Sequence, residues 1–181
     1  DLIRRTVVEN NIDMVVCGPE DPLVEGLKDF LKSCPDVKGD LLFVGPGKDG
    51  ARLEGSKDFA KEFMARHGIP TAAYRSFTAE QRNEASAFLR SLRPPYVVKA
   101  DGLAAGKGVI ISQALEEAEE SLEHIFGGQF GAAGSKVVVE EYLEGVEVSF
   151  FVLTDGHGYL LLPEAKDYKR IWDGDKGLNT G

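Results

Sequence analysis

Apolar residues recur along the chain at two periods, and the change of period divides it. Leu2, Ile3, Val7 and Val8 mark a helix over residues 1–12, and Asp13–Cys17 is a short apolar run suited to a buried parallel strand. The rigid turn Gly18-Pro19-Glu20-Asp21-Pro22 ends that run. A helix is expected over Leu23–Leu31 and a second buried strand over Leu41–Val44. This alternation makes residues 1–52 part of a doubly wound, parallel-sheet α/β domain, with one or more strands expected ahead of it. Residues 53–73 form a linking region whose helix places Phe59, Ala60, Phe63 and Met64 at helical spacing, with Ser56 as N-cap and Gly68 as its stop.

From Tyr74 to Tyr142 the order is β-α-β-β-α-β, a small α+β module. Its strands are Tyr74–Phe77, Tyr96–Ala100, a return strand from Val109, and Lys136–Tyr142. Thr78-x-x-Gln81 is a capping box opening a helix with Ala85, Phe88, Leu89 and Leu92 inward, and Leu115, Ala118, Leu122, Ile125 and Phe126 mark a second helix. Gly127–Gly134 reads as a loose loop. Residues 143–181 open a further unit, in which Glu147–Leu153 pairs with Tyr159–Leu162 around Asp155-Gly156.

The segment Val97–Val109 joins two strands through a loop with Gly102, Gly106 and Gly108, flanked by Lys99 and Lys107. Glycines there let the backbone take positive φ and approach a ligand, so that amide N–H groups converge on an oxyanion while the lysines add charge. The P-loop pattern fails, since the Gly102–Gly106 gap is one residue short and no hydroxyl follows Lys107. The dinucleotide pattern fails because Ile111 stands where its last glycine belongs. A glycine hairpin over phosphate remains, beside the plainer reading of a flexible hairpin kept soluble by lysines. Lys57 lies in the first turn of its helix, where a positive charge opposes the helix dipole; a bound anion or simple solvation accounts for it. Glu20 lies beyond the carboxyl end of the first strand, the side on which open α/β sheets bind ligands, and equally suits a helix start.

Lys and Arg total 21 against 30 Asp and Glu, a net charge of -9, which argues against a nucleic-acid partner but not against a nucleotide held by a few placed lysines. Cys17 and Cys34 have no metal-ligand spacing and read as reduced thiols of a cytoplasmic protein. No apolar run is long enough to span a bilayer and no leader pattern opens the chain, so no membrane partner is expected. The acidic helix face Glu116, Glu117, Glu119, Glu120 and Glu123 reads as solvated surface, not a metal site. Glu140-Glu141-Tyr142-Leu143 at a strand end, followed by Glu147, can offer main-chain groups to an adenine edge and a carboxylate to a ribose, though any acidic strand-turn-strand looks similar.

Taken together, Leu53-Glu54-Gly55-Ser56-Lys57, the stretch Val97–Val109, Glu140-Glu141-Tyr142-Leu143, Asp173-Gly174-Asp175 and Asn179-Thr180-Gly181 resemble the glycinamide ribonucleotide synthetases, or phosphoribosylamine-glycine ligases, of the ATP-grasp superfamily. Gly18-Pro19-Glu20 with Pro22-Leu23-Val24 is similar to that family's first domain. The resemblance runs along essentially the whole chain, and the glycine-loop wording is its most specific part. It implies an ATP-grasp fold: part of the N-terminal domain, the lid subdomain over 74–142, and the start of the second subdomain over 143–181.

The implied reaction belongs to purine biosynthesis. ATP phosphorylates glycine, and 5-phosphoribosylamine attacks the glycyl phosphate to give glycinamide ribonucleotide, ADP and phosphate. By motif, Lys57 and Lys99 would contact the ATP phosphates, and Gly102, Gly106, Lys107 and Gly108 would close over them. Glu140, Glu141, Tyr142 and Leu143 would frame adenine, Glu147 would hold the ribose, and Arg170 and Asn179 would reach the phosphates. Lys99 and Arg170 carry the catalytic assignment; Glu20, Asp167 and Lys169 are assigned to substrate. Lys166 and Tyr168 depart from the family's usual glutamine and histidine. ATP and Mg2+ (or Mn2+) are the implied cofactors, with the metal ligands expected past residue 181. The chain is thus expected to be a fragment, inactive alone, of a monomeric enzyme acting on small molecules. Another carboxylate substrate, or a non-catalytic ATP-binding module, are the alternative readings.

Overall fold

The computed structural model describes all residues except 105, 167, 169, 175, 180 and 181, and only the backbone at 170 and 176–179. The first part runs α1 (Leu2–Glu9), β1 (Met14–Val16), α2 (Glu20–Glu25), α3 (Leu27–Ser33), β2 (Leu42–Val44) and α4 (Lys48–Gly55). β1 and β2 pair in parallel, Val15 opposite Phe43, as the apolar runs require. Their expected burial is not reached: Val15 and Phe43 are half-buried on one face. Val16 is 67% and Leu42 58% exposed, because side chains alternate across a pleated pair and no described element covers that face.

Two departures in this part trace to glycine. The single helix expected over Leu23–Leu31 is two, because Gly26, at φ 93°, ends α2 in the left-handed conformation and starts α3. Helix α4 has no apolar stripe to announce it. Only Ala51 is buried, and Gly55 lets it approach α2, since a Cβ there would lie 3.0 Å from the Val24 methyls.

Helix α5 (Lys57–His67) begins and ends as its cap residues dictate: the Ser56 hydroxyl accepts from the Phe59 N–H, and Gly68 closes it at φ 64°. The module that follows contains β3 (Tyr74–Thr78), α6 (Arg82–Ser91), β4 (Tyr96–Ala100), β5 (Val109–Ser112), α7 (Leu115–His124) and β6 (Lys136–Glu141). Its strands form one antiparallel sheet in the order β3-β6-β4-β5. The Thr78–Gln81 capping box forms as expected, over a short 3-10 turn ahead of α6. Phe77, Val98, Ala100, Val137 and Val139 pack on one sheet face against Ala85, Leu89, Ala118, Leu122 and Ile125 of the two helices, and this is the core. The acidic face of α7 is partly paired: Glu119 binds Arg90 and Glu123 binds Arg82. The expected loose loop after α7 is a pair of short helical turns, Ile125–Gln129 and Gly131–Gly134, packed under β6.

The remaining strands make small antiparallel pairs. β7 (Val148–Ser149) joins β10 (Ala165–Lys166), β8 (Val152–Thr154) joins β9 (Tyr159–Leu161), and β11 (Arg170–Trp172) joins β12 (Lys176–Asn179). The run expected as one strand from Glu147 to Leu153 therefore splits between two partners. Among the described residues no helix is long and apolar enough to cross a membrane.

Candidate functional site

Period-2 alternation puts Tyr96, Val98, Ala100, Val137 and Val139 on the core face and leaves Val97, Lys99, Lys136, Val138 and Glu140 on the other. Helix α5 lies on that second face. Lys57 and Lys61, four residues apart, share one side of α5 and reach the sheet together. Glu140, on the central strand β6, is 4% exposed and ion-pairs through one oxygen with Lys99 and through the other with Lys61. Lys61, itself 8% exposed, also donates to the Thr71 hydroxyl at 2.8 Å and the Ala72 carbonyl at 3.4 Å. One buried carboxylate thus serves two ammonium groups, with Lys57 close enough to add a third charge.

The end of β4 is fastened to the start of α5. The Asp101 carboxylate accepts the Asp58 N–H at 2.7 Å and the Ser56 hydroxyl at 3.1 Å, and the Asp101 carbonyl accepts the Lys57 N–H at 3.2 Å. These bonds satisfy N–H groups that a helix start leaves open. The Lys57 ammonium donates to the carbonyls of Asp101 (3.3 Å) and Gly102 (3.0 Å), on the first residues of the glycine loop. Burial pushes the Lys57 pKa down; the Asp101 charge opposes this and the Lys99 charge adds to it. Beside them Lys136 ion-pairs with Asp58. Burial would raise the Asp58 carboxyl, but the hydrogen bond and charge of Lys136 hold it below its usual value.

The glycine loop closes through the Gly108 carbonyl, which accepts the Ala100 N–H at 2.8 Å. Of its three glycines only Gly106 has positive φ, 72°. Gly102 and Gly108 are required by contact instead: a Cβ on Gly102 would lie 2.9 Å from the Ala133 Cα, and one on Gly108 2.7 Å from the Ala104 Cβ. The expectation that all three supply positive φ is therefore corrected. Close packing explains the other two, Gly102 against the turn before β6 and Gly108 against Ala104 and Ala100 of the hairpin itself.

Of the residues singled out from sequence, Lys57, Lys99, Gly102 and Glu140 come together here, and Gly106 and Lys107 lie exposed at the hairpin tip. Glu141 points to the other side of β6, where its carboxylate accepts the Ala73 N–H at 2.9 Å. Tyr142 and Leu143 follow, exposed, and Glu147 lies exposed just before β7. Glu20 opens α2, where its charge suits the helix N-terminus. Arg170 and Asn179 are register partners across β11 and β12. Asp167 and Lys169 lie outside the described residues. Sequence reading missed Lys61, Asp58, Asp101 and Lys136. The available signal was a lysine one turn after Lys57, on a helix otherwise marked by its apolar stripe.

Comparison with known proteins gives a consistent result. Residues 1–54 match the family model described as phosphoribosylglycinamide synthetase, N domain, and residues 55–181 the one described as its ATP-grasp (A) domain. The phosphoribosylamine-glycine ligase of Rhizobium meliloti (strain 1021) is 52% identical over 170 residues, which is 94% of this chain and 38% of that protein. That of Pseudomonas putida is 50% identical over 174 residues, covering 96% of this chain and 39% of the relative. The chain thus spans about two fifths of the length of the curated relatives it matches. A crystal structure of the Thermotoga maritima phosphoribosylamine-glycine ligase superposes with TM-score 0.72 at 38% identity, over 84% of this chain and 42% of that one. The biotin carboxylase domain of Hydrogenobacter thermophilus 2-oxoglutarate carboxylase, solved with MgADP, gives TM-score 0.70 at 23% identity over 97% of this chain and 38% of that one, a likeness of fold.

Proposed function

The chain belongs to the phosphoribosylglycinamide synthetase family, and from that premise we propose that it carries much of the ATP site of an enzyme joining glycine to 5-phosphoribosylamine. The observation that carries this reading is the meeting of Lys57 and Lys99 beside the glycine hairpin, with the end of β6 leading away from them. A nucleotide laid along this face would set its phosphates between the two ammonium groups under residues 102–108. Its base would lie near Glu141, Tyr142 and Leu143, with its ribose toward Glu147.

A carboxylate is a poor electrophile, and phosphorylation by ATP turns glycine into an acyl phosphate whose leaving group is inorganic phosphate. The amine of phosphoribosylamine then attacks the carbonyl, forming the amide and expelling phosphate. The first step passes through a loose transition state that needs positioning and charge neutralisation. Lys57 and Lys99 supply that charge, and the hairpin excludes water. Arg170, Asn179, Asp167 and Lys169 are assigned to the phosphate and acceptor end, and Glu20 to the phosphoribosyl side. Among the described residues no three His, Cys, Asp or Glu side chains group to hold a metal ion. The ligands of magnesium are assigned elsewhere in the parent protein. The parent is read as a cytoplasmic, monomeric enzyme of small-molecule substrates.

The test is to incubate the full-length protein with ATP, magnesium, glycine and phosphoribosylamine. ADP release is expected to require glycine and to be accompanied by glycinamide ribonucleotide. Release that ignores glycine, or that follows another carboxylic acid, would overturn the assignment.

A further inference from the structure

Lys61 has no place in the reading so far, yet it is the most buried lysine at the site, and it holds the oxygen of Glu140 that Lys99 does not. We propose that Lys61 is a positioning residue for the nucleotide: by compensating Glu140, it allows Lys99 to leave that carboxylate and serve phosphate. The inference rests on the ATP-site reading above and deepens it.

The argument is one of charge. Lys99 is the more accessible of the two partners, its side chain 26% exposed against 10% for Lys61, so Lys99 is the one free to turn toward a ligand. If Glu140 had Lys99 as its only partner, that turn would strand an ionised carboxylate in a buried site, which is the costly outcome for any broken buried pair. With Lys61 fixed beneath it, anchored by Thr71 and Ala72, Glu140 keeps one counter-charge throughout. Lys99 can then exchange a carboxylate oxygen for a phosphate oxygen with little change in the burial of charge. The ion pair also fixes the Glu140 side chain, so that Lys99 waits beside Lys57 in the absence of nucleotide.

The decisive experiment measures affinity of the full-length protein for a non-hydrolysable ATP analogue by calorimetry, with steady-state kinetics in parallel. Lys61→Met is expected to weaken analogue binding and raise the KM for ATP by at least about tenfold, with kcat within about threefold of the parent. Lys61→Arg, which keeps the charge, is expected to restore most of the affinity. In a Glu140→Gln background no buried carboxylate is left to compensate, and Lys61→Met is expected to change affinity by less than about threefold. Unchanged affinity in Lys61→Met, or the same tenfold loss in both backgrounds, would overturn the proposal. Should Lys61→Met alone prove unfolded by circular dichroism, the comparison within the Glu140→Gln background decides, because a tenfold loss there contradicts a role exerted through Glu140. Analogue binding without glycine-dependent turnover would count against the ligase reading alone and leave the test of Lys61 standing.

Discussion

Gly102, Gly106 and Gly108 occupy one loop for different physical reasons, and single substitutions separate them. A methyl on Gly102 meets main chain at Ala133, which cannot swing aside as a flexible side chain would, while one on Gly106 meets a backbone strain at φ 72°. Gly102→Ala is therefore expected to destabilise the folded chain by about 1–3 kcal/mol, the usual cost of forced overpacking. Gly106→Ala, at the exposed tip, should cost about 1 kcal/mol from the left-handed conformation. Chemical denaturation of both variants checks the order; a Gly106 cost exceeding that of Gly102 would contradict the packing argument. At the same scale, Lys99→Ala in the full-length protein is expected to weaken ATP use by orders of magnitude. Lys107→Ala is expected to be milder, since Lys99 sits on a strand in the ion-pair group and Lys107 at the hairpin tip. ATP-dependent ADP release, titrated in ATP for each variant, reads that difference, and equal losses would tell against it.

The element that organises the site is α5. Its first turn is held to β4 by Asp101 and to β6 by the Asp58–Lys136 pair, so the position of Lys57 and Lys61 over the sheet depends on charge as well as on apolar contact. The pair has a pH window. Asp58 titrates below its usual value, so its contribution is present above the ordinary carboxylate range and is lost as pH falls through the lowered value. Lys136 titrates above its usual value, chiefly through its bond to Asp58, so its contribution is present below the ordinary ammonium range and is lost as pH rises through the raised value. Asp58→Asn is expected to cost about 1 kcal/mol near neutrality, the scale of a partly exposed pair. The gap from the parent should close as pH drops below the carboxylate range. Thermal unfolding followed from acid to neutral pH checks this, and a gap independent of pH would mean that the pair contributes nothing.

At the scale of the whole molecule, burial is uneven. The sheet β3-β6-β4-β5 carries a closed core on one side and α5 on the other, while Phe150 between β7 and β8, and Tyr159, Leu160 and Trp172 on the small strand pairs, stand exposed. The firm part of the chain is therefore the part that places Lys57, Lys99 and Glu140. Strands β11 and β12 carry Arg170 and Asn179 only as register partners.

Much of this was legible in the residue order, because the deciding interactions are local. Caps at Ser56, Thr78 and Gly68, the β-branched runs, and the glycine spacing of 102–108 each act over a few residues, and they determined the helices, the hairpin and the family resemblance. What the order concealed was of two kinds. Helix α4 depends on its close approach to α2, and the break at Gly26 on a left-handed backbone at a single residue; neither leaves a periodic trace. The grouping of Lys61 with Glu140, 79 residues apart (140 − 61), arises because β6 is inserted between β3 and β4 and α5 is laid across it. Only tertiary structure could decide that, since a buried charge finds its partner across the sheet and not along the chain.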